Sequence, residues 1–530
     1  MTNLGNSSWR QYIQSNPLTV ILAVGLFLRL LASFFSEGYA FHDDHFCVTR
    51  VAQHWASGIP HWLESDHPPK HSMFYAGINA VFIWLMEGVG VMDPIVKTTV
   101  LRIFHAFYSL LTIYFAYKIT FMLSNRKAAN LVGWMLALLW FMPYLSVKFL
   151  AELVCVPPML GAFYLLLKHR DKRKTFIFFV AGALFGLAFV VRMHTVLFAG
   201  GIGIIFLFRK EWVGSLVFTL GFLITAFIII GIPDIIFFDY PFQYVVDYFT
   251  YNSENAYNYI TGGPHKFLLT TFGFLVPPVS VFILWGFLKG RKIEPMMYVG
   301  IIIFFLVHSL FPNKQERFIL PMYPMLIIIG IIGWNDFVAK SKFWLKHQKL
   351  HRGMWTFFWG INITAAVAMS LTFTKRDRVE PMYYLYHKND VRSVIVESER
   401  GSVKQVPVYY MGTGCVDYNE FRDNLGGILE VKATKKYLEP DYKMVFSLGS
   451  DKTVQELQME MDSVQKSPNY VIFKGDQNFE DRKKRVDALF PGKKLQLETE
   501  INPSHFDQLL HFFNPRIHRN DVARVYKVED

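Results

Sequence analysis

The chain has 530 residues, 52% of them hydrophobic and 17% aromatic, and a net charge of +12. A soluble protein of this length is more polar. The positive charge sits in short clusters between apolar runs, as in cytoplasmic loops facing anionic lipid, so nucleic acid is not an expected partner. Three scattered cysteines, Cys47, Cys155 and Cys415, offer neither a disulfide framework nor a zinc spacing.

The N-terminus, Met1 to Asn16, is polar and lacks a small-residue cleavage pattern, so the first apolar run is expected to be retained. A spanning helix needs ~20 mostly apolar residues. Spans are expected near 17–35, 98–122, 129–147, 150–167, 174–191, 195–208, 213–232, 268–288, 296–311, 317–334 and 354–373. The apolar stretch 73–92 is either another span or an interfacial helix. If it does not cross and the N-terminus is cytoplasmic, Arg126-Lys127, Lys168 to Lys174, Arg209-Lys210, Lys289 to Lys292 and Lys340 to Arg352 all face the cytoplasm. If it crosses, they all face outward. The positive-inside rule selects the first arrangement, about eleven spans plus an interfacial helix.

That topology gathers polar groups on the extracytoplasmic side. His42-Asp43-Asp44-His45 follows the first span. Glu64 to Lys70, which includes Asp66 and His67, lies in the same outer loop. Lys148, Glu152, Arg192, His194, the loop 239–267 and Asn313 to Arg317 join them.

Near Thr374 the composition becomes charged and mixed. β-rich runs at Ser393–Glu397, Val406–Tyr410, Met444–Leu448, Tyr470–Lys474 and Arg524–Val528 alternate with helical patterns near 452–465 and 480–490. This reads as a soluble α/β domain over 375–530, following a membrane domain over 1–374. No repeat, low-complexity tract or nucleotide-binding glycine motif stands out; Gly262-Gly263-Pro264 is a turn signal.

Two adjacent carboxylates, Asp43 and Asp44, cannot both point one way on a regular element. One can face a substrate hydroxyl and take its proton while the other is held. The plainer reading is that they cap a juxtamembrane helix. Lys314, Glu316 and Arg317 suit a phosphate, or form a snorkelling cationic rim. Arg192 and His194 otherwise mark an ordinary helix end. The loop with Tyr251, Asn252 and His265 suits a sugar, or is an interfacial aromatic belt. Glu152 and Lys148 can simply pair.

Phe41-His42-Asp43-Asp44-His45-Phe46 stands where glycosyltransferase family 22 carries H-P-D-E-x-F, after its first span. Asn313-Lys314-Gln315-Glu316-Arg317-Phe318-Ile319-Leu320-Pro321-Met322-Tyr323-Pro324 is similar to its H-K-E-x-R-F-x-x-P-x-x-P. Leu101-Arg102, the Lys148/Glu152 region, the arginine ending the fifth span and the loop from Tyr251 to His265 fall in family order. The chain thus resembles the polyprenyl- or dolichyl-phosphate-mannose-dependent mannosyltransferases of N-glycan and GPI-anchor assembly over roughly 15–335. Asp44 replaces the family's glutamate, and Asn313 and Gln315 replace a histidine and a glutamate.

The resemblance implies the GT-C membrane fold and an inverting transfer of a sugar, mannose first, from a polyprenyl-phosphate donor to a hydroxyl on a glycan or glycolipid. It implies Asp43 as base, with Asp44 orienting it or taking the role. It puts Lys314, Arg317, Arg192 and His194 at the donor phosphate. His45, Asp66, His67, Glu152, Tyr251, Asn252, His265 and Glu316 are expected to bind substrate. No cofactor is expected to be required; a divalent metal is possible but not indicated. The expected location is a bacterial inner membrane with the site and the 375–530 domain in the periplasm, or else the endoplasmic reticulum with a lumenal site. Protein O-mannosyl transfer and aminosugar transfer to lipid are the enzyme alternatives. A lipid or solute transporter would need more deep charges than the clearest one, Arg29.

Overall fold

The computed structural model describes residues 15–59, 71–171, 174–399, 401–422, 439, 441–513, 515 and 521–529. They form two compact units. The first comprises Met1–Phe35, His67–Tyr75 and Arg102–Leu371; the second comprises Ser36–Asp66, Ala76–Leu101 and Thr372–Asp530. The composition change near Thr374 thus falls close to the start of the last segment. The second unit also takes in two early segments that composition does not mark.

The first unit is helical and apolar on its outside, and two helices, Met73–Gly88 and Pro94–Leu123, are divided along the chain between the two units. Among the described residues, Pro17–Phe35, Pro94–Leu123, Ala151–Lys168, Trp212–Phe237 and Glu316–Lys340 are each long and apolar enough to cross a membrane. Lys266–Phe274 and Val279–Lys289 make a sixth if the pair, bent by 119°, is one span. Met73–Gly88, Thr175–Val191, Met193–Phe208 and Pro295–Leu310 are shorter apolar helices. The expected eleven crossings include three of these and Gln348–Ser370, so length and apolarity alone do not reproduce that number.

Polar groups inside this bundle are satisfied locally, as a lipid environment requires. The Arg29 guanidinium donates to Ser109 Oγ at 2.9 Å and to the carbonyls of Gly25, Leu136 and Ala137 at 3.0–3.2 Å. That accounts for one deep charge without a transport role. The expected span 129–147 breaks after Arg126–Leu138. Asn362 mends the break, accepting from the Trp140 amide at 2.9 Å and donating to the Leu138 carbonyl at 2.7 Å. Val279–Lys289 packs on Tyr323–Lys340 through Gly286, Gly330 and Gly333. Small residues there let two backbones approach closely.

The second unit carries a six-stranded sheet: β1 (Ser393–Ser398), β2 (Cys415–Asp417), β3 (Lys443–Leu448), β4 (Tyr470–Lys474), β5 (Lys494–Ile501) and β6 (Ala523–Glu529). The order is β2-β3-β1-β4-β6-β5. The first four are parallel, and β6 joins β4 and β5 antiparallel. Val394 pairs with Val445 on one side and Tyr470 on the other. β1 and β4 are buried along their whole length, because apolar residues of alternate parity feed two cores, one on each face. The expected strand at 406–410 is instead a 3-10 turn, Val408–Met411, entered from Pro407. The proline lacks the amide a ladder needs.

Candidate active site

In the first unit, three side chains from three helix junctions meet. Glu152 sits in the first turn of Ala151–Val154, just before a second start at Val156 with prolines at its first positions. Arg192 is the residue at which Thr175–Val191 ends, in extended conformation (φ −147°, ψ 107°). Arg317 lies on the 3-10 run Glu316–Met322. A junction frees a side chain from helical periodicity and lets it point along the bundle.

Glu152 Oε1 lies 3.0 Å from Arg192 Nη2 and 3.6 Å from Arg317 Nε. Both guanidinium groups also flank one ring: Arg192 Cζ is 5.3 Å and Arg317 Cζ 5.6 Å from the Phe318 centroid. Gln315 Oε1 accepts from Arg317 Nε at 3.0 Å. His194 stands against the same ring at 5.8 Å and edge-on to His308 at 4.9 Å. Its Nε2 is 2.8 Å from the Tyr248 hydroxyl. One carboxylate between two guanidinium groups leaves a surplus of positive charge, and guanidinium forks match phosphate oxygens.

Lys314 is placed differently. Its ammonium donates to the carbonyls of His308 and Ser309 at 2.8 Å each, and to that of Phe311. The first two belong to the last turn of the helix Pro295–Leu310, whose terminal carbonyls have no partner within it, and the third to the residue that follows it. Lysine has three donors, and this cap uses all of them. The loop is fastened further by the Lys314 amide on the Ile260 carbonyl at 2.8 Å and by a Thr261–Asn313 bridge. To meet a phosphate, Lys314 has to release the helix end. Glu316 is half-exposed, 3.8 Å from Lys266.

The connection 239–267, read from sequence as a loop, contains the helix Gln243–Glu254. Tyr251 and Asn252 are on it. The Tyr251 hydroxyl is 2.7 Å from that of Tyr259, and Asn252 Nδ2 donates to the Tyr248 carbonyl of its own helix at 2.8 Å. That bond uses one of the two amide donors of Asn252, so the other can still meet a sugar hydroxyl. His265 is exposed at the start of Lys266–Phe274.

In the second unit, Asp43 and Asp44 separate into two roles. Asp44 is buried, and its two oxygens accept from the Ala40 and Phe41 amides at 3.0 Å each. It fixes the turn in which it sits. Asp43 is only half-buried. The turn is tied down from beyond Thr372. Thr374 Oγ1 donates to the Tyr39 carbonyl at 3.0 Å, and the Lys375 ammonium donates to the Ala40 carbonyl at 3.2 Å and lies 4.0 Å from the Tyr39 ring centre. Burial lowers the Lys375 ammonium to about 8.

His45, expected to bind substrate, is instead a packed side chain. It stacks between Tyr39 at 4.6 Å and Tyr410 at 5.2 Å and is 1% exposed, so no open face remains for a sugar. Burial holds its imidazole neutral, well below the usual histidine range. Asp66 and His67 lie outside the described residues. Sequence reasoning passed over Phe318, His308 and Tyr248. Phe318 stood inside the quoted motif, beside Arg317, and its aromatic face was the available signal.

Three comparisons bear on this arrangement. The Alg9-like mannosyltransferase family matches residues 20–408. No curated protein sequence matches the chain. Among solved structures, ArnT from Cupriavidus metallidurans bound to undecaprenyl phosphate is similar, at 12% identity over 96% of this chain and 98% of that one, TM-score 0.57. The Archaeoglobus fulgidus oligosaccharyltransferase, in complex with Zn and sulfate, is similar at 11% identity over 89% of this chain and 70% of that one, TM-score 0.54. At such identities the likeness speaks for a shared GT-C-type fold, helical in the membrane with a C-terminal sheet domain. With the family match running over most of its length, the chain belongs to the Alg9-like mannosyltransferase family and is a membrane glycosyltransferase.

Proposed function

We propose that this enzyme moves a sugar, mannose first, from a polyprenyl-phosphate donor to an acceptor hydroxyl of a glycan or glycolipid at the extracytoplasmic face. The observation that carries the donor assignment is the Arg192–Glu152–Arg317 cluster. A lipid-phosphate sugar needs fixed cations where its leaving group gathers charge, and two guanidinium groups set by one buried carboxylate supply them. The ArnT structure, which holds undecaprenyl phosphate, supports a polyprenyl carrier.

The acceptor oxygen attacks the anomeric carbon from the face opposite the phosphate. The new C–O bond forms as the C–O bond to phosphate breaks, which inverts that carbon. The acceptor's proton passes to Asp43, and the electron pair leaves with the lipid phosphate, whose charge Arg192 and Arg317 meet. Asp44 holds the turn. Glu152 orients the arginines, and Lys314 orders the loop that carries Arg317. No step of this reaction calls on a metal. The positive-inside reading of the loops supports a periplasmic site in a bacterial inner membrane, with an endoplasmic reticulum site as the second placement.

The test is transfer from polyprenyl-phosphate mannose by the purified full chain, wild type and Asp43→Asn. The proposal expects transfer with inversion by the wild type and none by the variant, both equally folded. Full activity of the variant removes Asp43 as base. Inactivity of the wild type with mannosyl donors, but not with another polyprenyl-phosphate sugar, changes the sugar.

A further inference from the structure

The helix His505–Phe513 packs loosely on its own unit. None of its residues is fully buried, and Leu509, Phe512 and Phe513 are 50%, 79% and 74% exposed. The Phe512 and Phe513 rings stand edge to face, 5.5 Å apart. Such an aromatic patch on a sheet domain is costly in water and marks an interaction surface.

The occupant follows from where the helix begins. Asp507 Oδ1, in its first turn, accepts from the Lys375 amide at 3.3 Å. Thr374, one residue earlier, donates its amide to the Glu37 carbonyl at 3.2 Å. Glu37 follows the last residue of Pro17–Phe35, a helix long and apolar enough to cross a membrane, by two positions. Two residues of chain reach no further than ~7 Å. The start of His505–Phe513 is thus tethered, through one side-chain and one backbone hydrogen bond, to the segment that follows a membrane helix in the chain. The same unit exposes Val81, Trp84 and Leu85 from Met73–Gly88, at 57%, 61% and 51%.

We propose that His505–Phe513 is an interfacial membrane anchor, with Leu509, Phe512 and Phe513 seated among acyl chains just below the headgroups. A short amphipathic helix lying in the interface buries an apolar face of this kind, with its polar groups at headgroup level. The second unit is then held to the bilayer through this helix. This fixes the strand-and-turn region that grips residues 37–40, and with it the turn of Asp43.

The experiment is photolabelling of the full chain in nanodiscs of phosphatidylethanolamine and phosphatidylglycerol that carry a diazirine on the acyl chain, read by peptide mass spectrometry. The expected result is labelling of 505–513 at a level comparable to Pro17–Phe35, with β5 unlabelled although Leu497 is 49% exposed. Labelling of Pro17–Phe35 without 505–513 overturns the anchor and leaves the membrane reading intact. Failure to label Pro17–Phe35 overturns the membrane reading itself, and the anchor with it. An unlabelled 505–513 in a chain that native mass spectrometry finds dimeric gives the face to a second copy, and also overturns the anchor.

Discussion

Glu152 and Arg192 approach to 3.0 Å, and the same carboxylate oxygen is 3.6 Å from Arg317. Glu152 is almost wholly buried, so it sets the guanidinium groups in place more than it competes for substrate. Glu152→Gln keeps the shape and removes the charge that orients them. A lost charge-assisted contact of about 2 kcal/mol predicts a fall of about thirtyfold in kcat. Stopped-assay kinetics on the purified variant check it; wild-type kcat shows that the carboxylate does not set the arginines.

Arg317→Ala is expected to raise the KM for the lipid-phosphate sugar more than that for the acceptor, because its fork faces the phosphate in the proposed reaction. Arg317→Lys is expected to recover little, since a point charge does not reproduce a planar pair of donors. Varying each substrate at saturation of the other separates the two effects. A defect confined to the acceptor moves the phosphate site away from Arg317.

Asp43 and Asp44 are adjacent, yet their substitutions should read out differently. Loss of a general base costs about 10²–10⁴-fold in rate, so Asp43→Asn is expected to lose transfer and keep its melting temperature. Asp44→Asn replaces one of two amide acceptors by a donor group and leaves a buried amide unsatisfied. That is expected to cost about 1–3 kcal/mol of stability. Thermal unfolding of the two variants, measured beside activity, checks the division. An unchanged melting temperature for Asp44→Asn contradicts the structural role.

Much of this was legible in the sequence, and the parts that were not share a physical cause. Apolar length gave helices such as Pro17–Phe35, and short runs rich in β-branched, aromatic and other apolar residues gave β1, β3 and β4, which are buried on both faces. β5 was missed because its residues, Lys494–Ile501, are mostly polar and half of them exposed, and β2 because it has three residues. The break after Leu138 depends on Asn362, more than two hundred positions away. The two motifs pointed to Asp43 and Arg317. They could not reveal that the Lys314 ammonium closes a helix end, or that His45 is enclosed by tyrosines. Those outcomes depend on which carbonyls and rings the fold brings near.

Gly38 has φ +72°, and a Cβ there would come 1.9 Å from the Thr374 carbonyl oxygen. Gly38→Ala is therefore strained in backbone and in contact, and is expected to loosen the segment 37–40 on which the Asp43 turn rests. The expected outcome is faster amide exchange at Ala40 and Phe41, whose amides Asp44 accepts, together with a loss of transfer. Wild-type protection at both amides contradicts the linkage between Thr374 and the turn.

Asp417 predicts a pH dependence for the second unit. It is buried at the end of β2, where its oxygens accept from the Val406 amide at 2.6 Å and the Asn419 amide at 3.0 Å. Burial raises its carboxyl from 3.8 to about 7, against the opposing pull of those amides. Between these values the folded state binds a proton that the unfolded state has released. Its contribution to stability is thus present at low pH and is lost as the pH rises through about 7. Unfolding of the full chain should show this unit gaining stability from pH 7 towards pH 5, as far as this group is concerned. Asp417→Asn is expected to lower stability overall, because its amide nitrogen faces a backbone N–H, and to flatten that slope. A variant that keeps the wild-type slope would assign the pH dependence to other groups.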